Sequence, residues 1–220
     1  MLLNCHTRLF LIRHGQVINH HEFRYNGHFD IDITDIGVRQ MENLADFLAH
    51  EPITAIYSSD LQRAVKGADI VGRRLGIKPV KMHEFRELSL GRWEGLTREE
   101  GAERFPEEAG FRFRDLAISK VQGGESLQDL KNRVVPKLNE ILNRHRDEAV
   151  CLVAHGGVNR VILCDAMGLP MENFFRIEQD YGCLNIIDYF EDGGDRFQIC
   201  PQVKLLNGGP NQELQKTKIY

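Results

Sequence analysis

The sequence predicts an α/β fold, a three-layer α/β/α sandwich with a mostly parallel mixed sheet and a small helical lid insertion. Two observations indicate it. Short apolar segments bounded by turn residues alternate with amphipathic helical patterns along the chain, as in strands joined by crossover helices. Of the 220 residues, 42% are hydrophobic and 27% are charged, an ordinary balance for a globular protein with a sizeable core.

The first half of the chain predicts three strands and two helices. In order, they are a strand over 9–12, a helix starting at Thr34-Asp35, a strand over 53–57, a helix capped by Ser58-Ser59-Asp60 and ended by Gly76, and an edge strand over 79–82. The strands are continuous apolar runs, and each helix repeats apolar residues on one face after a capping residue.

The second half continues the alternation. It predicts short helices in an insertion over about 96–120, a long amphipathic helix over 126–146, a central strand over 150–154, a helix over 158–167, and a hairpin of strands over 184–190 and 196–200. Pro136 is expected to kink or split the long helix. Residues 1–204 then form a single domain, and residues 205–220 form a flexible C-terminal tail.

Charge and cysteine content indicate which partners and which cellular compartment to expect. The net charge of −4 gives no overall attraction for nucleic acid or a membrane surface. The first twelve residues are too short and too polar for a membrane span or a signal peptide. The five cysteines are an odd number with no C-x-x-C pair, so we expect free thiols and a cytoplasmic location.

Three segments deliver basic side chains to one edge of the predicted sheet. Arg13 and His14 follow the first strand, Arg63 lies early in the helix after the second, and His155 follows the central strand. In such sheets a ligand site lies beyond the carboxyl ends of the strands. Each residue alone has an ordinary structural explanation, such as a bonded loop histidine or a solvated arginine, but their convergence indicates a site. We expect His14 and Arg63 to be partly exposed in a cleft.

These residue types suit a phosphate monoester. Arginine binds phosphate through a planar fork, and backbone N–H groups at Gly15 and Gly156 are open to close approach. A neutral imidazole is a nucleophile, and a second histidine can stabilise a transferring phosphoryl group. A leaving alkoxide also needs a proton from a nearby acid, which periodicity alone does not select.

The chain resembles the histidine phosphatase superfamily, which includes the cofactor-dependent phosphoglycerate mutases. The resemblance extends from about Leu9 to Met167 and rests on an ordered set of motifs. They are Leu11-Ile12-Arg13-His14-Gly15, Gly27-His28-Phe29-Asp30 with Thr34 and Gly37, Tyr57-Ser58-Ser59-Asp60-Leu61-Gln62-Arg63-Ala64, the stretch from Phe85 to Gly95, Gly123-Gly124-Glu125-Ser126, and Val153-Ala154-His155-Gly156-Gly157.

The resemblance implies a role for each matched position. His14 would be phosphorylated, with Arg13, Arg63 and His155 around it. Glu87 would protonate the leaving group and later activate water. The remaining phosphate-binding positions would be Gly156, Gly27, Asn26 and His20. His20 stands where the family often has asparagine, with Asn19 one place earlier, so either His20 substitutes or the loop shifts.

Glu94 and a group of histidines also lie within these motifs or near them. Glu94 follows Trp93 at the start of a loop, and a structural role is preferred for it. His20, His21 and His28 could suggest a metal, but no carboxylate or cysteine stands at matching spacing. We therefore expect no metal ion and no cofactor.

The predicted function is hydrolysis of a small soluble phosphate ester through a phosphohistidine intermediate. The compact lid and the doubled glycine before Glu125 resemble the phosphatase branch, including α-ribazole phosphatase and broad-specificity phosphatases. Phosphoglycerate mutase-type transfer is the alternative, and a non-catalytic regulatory protein is the second. Arg112 and Arg114 could contact a second anionic group of the substrate or lie on a solvated helix face. The oligomeric state is open, and a homodimer through an exposed edge strand is conceivable.

Overall fold

A computed structural model gives the structure of the chain over residues 5–111, 113–117, 119–192 and 198–209. Six strands form one mixed sheet in the order β3-β2-β4-β1-β5-β6. The strands are β1 (Cys5–Arg13), β2 (Ile53–Ser59), β3 (Val80–Met82), β4 (Glu148–Ala154), β5 (Leu184–Asp192) and β6 (Gln198–Gly208). The fold class predicted from the sequence is confirmed.

The first four strands are parallel to one another, and β5 runs antiparallel to both of its neighbours, β1 and β6. β4 lies between β1 and β2 and pairs in parallel with both, as its uninterrupted apolar sequence predicts. β5 pairs antiparallel with β1, with Ile12 opposite Leu184. The start of β5 therefore lies beside the end of β1, so the segment before β5 reaches the same sheet edge as the loops after the parallel strands.

Five α-helices and several short 3₁₀ helices are described around the sheet. The α-helices are α1 (Asp35–Leu48), α2 (Gln62–Leu75), α3 (Arg98–Arg104), α4 (Leu127–Arg144) and α5 (Gly156–Ala166). Thr34 caps α1 by accepting from Gly37 N, and Gly76 ends α2 with a left-handed φ of 72°. One apolar cluster packs α4 and α5 against the sheet, and another packs α1 and α2. None of the helices in the described ranges is long and apolar enough to cross a membrane.

Three differences from the sequence prediction concern the start of α2, the middle of α4 and the C-terminal tail. The N-cap of α2 is Leu61, and Ser59 instead accepts from Leu61 N through its hydroxyl. Helix α4 runs without a break through Pro136, so the split alternative is wrong. A capping box at its start and an apolar face buried along its whole length hold α4 together across the missing N–H.

The third difference concerns the C-terminal tail. Residues 205–208 belong to β6, because Leu205 pairs with Ile186 and Gly208 pairs with Leu184. Asn207 also donates its N–H to Asn185 Oδ1 at 2.8 Å. The tail predicted from residue 205 therefore starts too early, and its part from residue 210 lies outside the described residues.

Candidate active site

Two histidine rings face each other where β1 and β4 end. The ring centroids of His14 and His155 are 5.1 Å apart at an interplanar angle of 64°. A hydrogen bond of 3.0 Å from His14 N to Ala154 O joins the two strand ends. His155 is also the N-cap residue of α5. The parallel pairing of β1 and β4 thus brings together residues far apart in sequence.

The His14 ring is held in one tautomer. Its Nδ1 lies 2.8 Å from Gly15 O, and because a carbonyl only accepts, Nδ1 carries the proton. Nε2 is then unprotonated. Burial lowers the pKa of His14 well below its ordinary value, and the guanidinium groups of Arg63 and Arg13 lower it further. The ring is therefore neutral at pH 7, as a nucleophile must be.

His155 is fully buried, and neither of its ring nitrogens has a hydrogen-bond partner among the described residues. Burial, and then the charge of Arg63, lower the pKa of His155 well below its ordinary value. An unpaired buried polar group costs free energy and calls for an explanation. A ligand that accepts or donates at these nitrogens would supply it.

Arg13 is held by the segment before β5. Its Nη1 donates to Gln179 O at 2.5 Å, and its Cζ lies 4.0 Å from the centroid of the Tyr181 ring. Its buried Nε has no partner among the described residues. Half of the guanidinium group is thus fixed by protein contacts, and Nε is left to bind a ligand.

Arg63 completes the group of cations. Its Nη2 donates to Gly27 O at 2.6 Å and its Nη1 to Phe29 O at 2.9 Å. Gly27 adopts a φ of 45°, which turns its carbonyl toward Arg63. The expected partial exposure is wrong: Arg63 is 1% exposed and His14 is 4% exposed. The turn from Gly27 to Phe29 covers Arg63, and the Tyr181 ring packs 5.7 Å from the His14 ring.

The carboxylate of Glu87, from the segment after β3, is hydrogen-bonded to the first turn of α5. Both of its carboxylate oxygens accept from Gly157 N at 3.1 Å, and Oε1 also accepts from Leu88 N at 2.8 Å. A Cβ on Gly157 would lie 2.2 Å from Glu87 Oε1. A side chain at position 157 would displace the carboxylate from this position, which gives the doubled glycine after His155 a specific role. Gly156 lies against the group of cations, since a Cβ there would be 3.5 Å from Arg13 Nε.

The loop after β1 places the remaining predicted residues beside this group. Asn26 and Asn19 form a reciprocal pair of amide hydrogen bonds, at 2.8 and 3.1 Å. Asn19 is buried, whereas His20 is exposed and its Nδ1 lies 3.2 Å from Val17 O. All three line one cavity of about 700 Å³. The loop therefore presents both Asn19 and His20 to the cavity.

Glu94 has the structural role expected for it. Its Oε1 accepts from Ser89 Oγ at 2.9 Å and from Leu90 N at 3.0 Å.

The described part of the insertion over 96–120 contains α3 and two 3₁₀ helices, Pro106–Glu108 and Phe113–Ala117, so the expected short helices are confirmed. Arg112 and the side chain of Arg114 lie outside the described residues, and their contact with substrate stays a prediction.

Sequence reasoning missed three residues near the site. Tyr181 and Gln179 precede the antiparallel strand β5, and no motif marks them. Arg160 follows Gly156 by one helical turn, and its Nη1 would lie 3.4 Å from a Cβ on Gly156. The spacing of four residues from Gly156 is the signal that could have found Arg160. Tyr181 reaches the site because β5 pairs antiparallel with β1, and no sequence pattern predicts that pairing.

Comparison with known proteins identifies the family. The model of the histidine phosphatase superfamily (branch 1) matches residues 9–198. The chain belongs to this superfamily. The match contains His14, Arg63, Glu87 and His155, so the residues brought together at the sheet edge all lie within the shared region.

Relatives of the chain in the histidine phosphatase superfamily include phosphatases. A glucosyl-3-phosphoglycerate phosphatase from Mycolicibacterium vanbaalenii is 35% identical over 175 residues, which are 76% of this chain and 77% of that protein. The solved structure of a mycobacterial glucosyl-3-phosphoglycerate phosphatase has a TM-score of 0.82 at 27% identity, covering 94% of this chain and 100% of that one. A bifunctional protein from Mycobacterium tuberculosis is 32% identical over 201 residues, 91% of this chain but only 55% of that protein. The chain therefore spans about half the length of that curated relative.

Proposed function

We propose that the protein hydrolyses small soluble phosphate monoesters through a phosphohistidine at His14, without a metal ion. One observation carries the proposal. The His14 ring is buried, neutral and fixed in the tautomer that leaves Nε2 free. Around it, the His155 ring nitrogens and Arg13 Nε are buried polar atoms without a partner among the described residues, and a phosphoryl group would satisfy them.

In the first step, His14 Nε2 attacks phosphorus and the bond from phosphorus to the ester oxygen breaks. Glu87 gives its proton to the departing oxygen, so the alcohol leaves neutral. Arg13, Arg63 and His155 stabilise the charge on the three non-bridging oxygens. These groups are already held by carbonyl bonds and packing, so little reorganisation is needed.

In the second step, water attacks the phosphorus of phosphohistidine. The Glu87 carboxylate takes a proton from that water, and the bond from phosphorus to Nε2 breaks. Inorganic phosphate leaves and His14 returns to its neutral form. The bonds from Gly157 N and Leu88 N hold the carboxylate in place for both proton transfers.

A para-nitrophenyl phosphate assay with and without a chelator tests the proposal. We expect turnover that survives the chelator and is absent in His14→Ala. Rapid base quenching during turnover of a phosphorus-labelled ester should trap a label on the protein that is stable in base and is lost on later acidification, as phosphoramidates are. Strict dependence on an added divalent metal would contradict the proposal.

Incubation with 3-phosphoglycerate separates hydrolysis from mutase-type transfer. Hydrolysis predicts free phosphate as the main product, whereas a mutase would form mainly 2-phosphoglycerate. Hydrolysis is favoured because exposed residues such as His20 and Arg98 open the adjoining cavity to solvent, whereas a mutase needs a closed, dry pocket that retains its phosphoenzyme. A protein that forms no phosphoenzyme and binds phosphate esters unchanged would be non-catalytic.

We also propose a cytoplasmic location. Cys151, Cys164 and Cys183 are buried free thiols, which is typical of a reducing compartment. Fractionation of cells that express the full chain, probed with an antibody against it, tests this location. Recovery in an oxidising compartment or with membranes would contradict it.

A further inference from the structure

A cavity of about 700 Å³ adjoins the group of cations around His14. Tyr181 connects the two: it lines the cavity, its ring is 5.7 Å from the His14 ring, and it covers Arg13. Asn26, also in the wall, precedes the glycine whose carbonyl binds Arg63. A phosphate ester with its phosphorus at His14 would extend its alcohol part into this cavity.

The cavity wall is rich in aromatic faces. Phe23, Tyr25 and Tyr181 all line it, together with the imidazole of His20. The Tyr25 ring is supported from behind by Trp93 at a centroid distance of 5.6 Å. Flat aromatic walls favour flat ring-bearing ligands, because stacked faces remove apolar area from water with little loss of side-chain entropy.

Phe23 is held in an unusual position. It is 87% exposed and has a φ of 51°, a left-handed conformation that is an outlier for a bulky residue. The next residue, Arg24, pairs with Glu22 and Glu100 and donates to Gly95 O. The loop is therefore fixed with an apolar ring at the rim of the cavity. Backbone strain of this kind concentrates at ligand sites.

The charges in the described part of the cavity wall cancel. Glu22 and Glu99 oppose Arg24 and Arg98, whereas the adjoining site carries the cations Arg13 and Arg63. A second anionic group on the substrate would gain no net attraction from these four side chains. The wall therefore favours an uncharged alcohol.

We propose that this cavity selects phosphate esters whose alcohol part is uncharged and carries a ring, with Tyr181 and Phe23 as its specificity-determining residues. The inference rests on the proposed function, because it assumes that phosphorus lies at His14. Aromatic rings and sugar rings share the chemistry that such a wall recognises, so the test includes both.

The first arm compares 2-phenylethyl phosphate, butyl phosphate and 3-carboxypropyl phosphate, all esters of primary alcohols with similar leaving groups. We expect kcat/KM for the phenylethyl ester to exceed that for the butyl ester by about tenfold. The carboxypropyl ester should be no better than the butyl ester. The second arm compares glucose 6-phosphate with its open-chain counterpart sorbitol 6-phosphate. A preference for the ring in either arm supports the inference and identifies the kind of ring.

Variants assign the preference to the wall. Tyr181→Leu and Phe23→Ser should reduce the ring preference to about twofold or less, whereas Tyr181→Phe should keep it. Phe175→Ser is the matched control, because Phe175 is 41% exposed and lies outside the cavity. The ratio between esters is the readout, so a general loss of activity in Tyr181→Leu does not mimic the result.

Equal kcat/KM values in both arms, or a preference for the carboxypropyl ester, would overturn the inference while leaving the phosphatase proposal standing. Failure to hydrolyse any of these esters or para-nitrophenyl phosphate would instead overturn the proposed function. A ring preference that survives both wall variants would assign the selectivity to other residues and contradict the inference.

Discussion

A histidine lies just outside each end of β4, and the two differ in the hydrogen bonding of their ring nitrogens. Before its start, His145 has both ring nitrogens bonded, Nε2 to Tyr57 OH at 2.7 Å and Nδ1 to Glu148 Oε2 at 2.7 Å. After its end, His155 has neither nitrogen bonded within the described residues. A structural histidine is satisfied by the protein itself, whereas an unsatisfied one awaits a ligand. On a single strand, the difference in hydrogen bonding distinguishes a histidine held by packing from one in the candidate active site.

The largest expected effect comes from removing His14, the nucleophile of the proposed function. His14→Ala should lower kcat/KM for para-nitrophenyl phosphate by about 10⁵-fold, since the substitution removes the ring nitrogen proposed to attack phosphorus. His145→Ala is the matched control and should keep activity within about twofold, because it lies at the far end of β4. Steady-state kinetics of both variants check the contrast. Comparable losses in the two would remove the distinction between the two ends.

Arg63→Ala should follow, with a loss of about 10³-fold in kcat/KM, because a buried guanidinium group on the phosphoryl oxygens is removed. Arg63→Lys should recover little of it, since an ammonium group cannot bind both carbonyls and a phosphoryl oxygen in one plane. The affinity for orthovanadate, followed as an inhibition constant, should fall in parallel. A variant that binds vanadate as the wild type does would contradict the role of Arg63.

Glu87→Gln should separate leaving groups. We expect kcat for an alkyl phosphate to fall by about 10²-fold and kcat for para-nitrophenyl phosphate to fall by less than about tenfold, because only the alkyl alcohol needs protonation to leave. The amide can still accept from Gly157 N, so the local structure is preserved. Equal losses on the two esters would exclude Glu87 as the proton donor.

The buried histidines also predict how stability depends on pH. The pKa of His155 is lower in the folded protein than the value of about 6.5 in an unfolded chain. The unfolded chain therefore binds a proton below that pH which the folded protein does not, and stability falls as pH falls. His155→Asn should weaken this dependence by about 1.4 kcal/mol per pH unit below about pH 6.5. Urea unfolding at pH 7.5 and 5.5 measures the slopes, and parallel profiles would contradict the prediction.

The smallest effect is expected among Tyr57, His145 and Glu148, whose side chains are hydrogen-bonded to one another. Tyr57→Phe removes the hydroxyl bonded to His145 and should cost about 1 kcal/mol of unfolding free energy. Activity should be unchanged, because the reactive residues lie beyond the other end of β4. Urea unfolding and the para-nitrophenyl phosphate assay together check it. A large loss of activity would connect the two clusters.

The sequence predicted those parts of the site that follow parallel strands. His14 and His155 end apolar runs, so their meeting at one edge follows from the handedness and direction of parallel connections. Arg63 was predicted at the same edge because its helix follows the second parallel strand, whereas Glu87 was assigned only through resemblance to a family. Tyr181 escaped because it precedes a strand whose antiparallel direction depends on pairing across the sheet. The burial of His14 and Arg63 escaped for a similar reason: it is produced by the turn at Gly27 and by the Tyr181 ring, which are contacts between distant segments.

The pairing of β1 has a consequence for biosynthesis. β1 is made before the other strands of the sheet, yet its neighbours β4 and β5 are made only after β2 and β3, with Thr7 opposite Glu148 and Ile12 opposite Leu184. The emerging polypeptide therefore carries β1 as an unpaired apolar strand until most of the sheet has left the ribosome. An unpaired apolar strand can pair with other chains, so aggregation is a hazard during this interval.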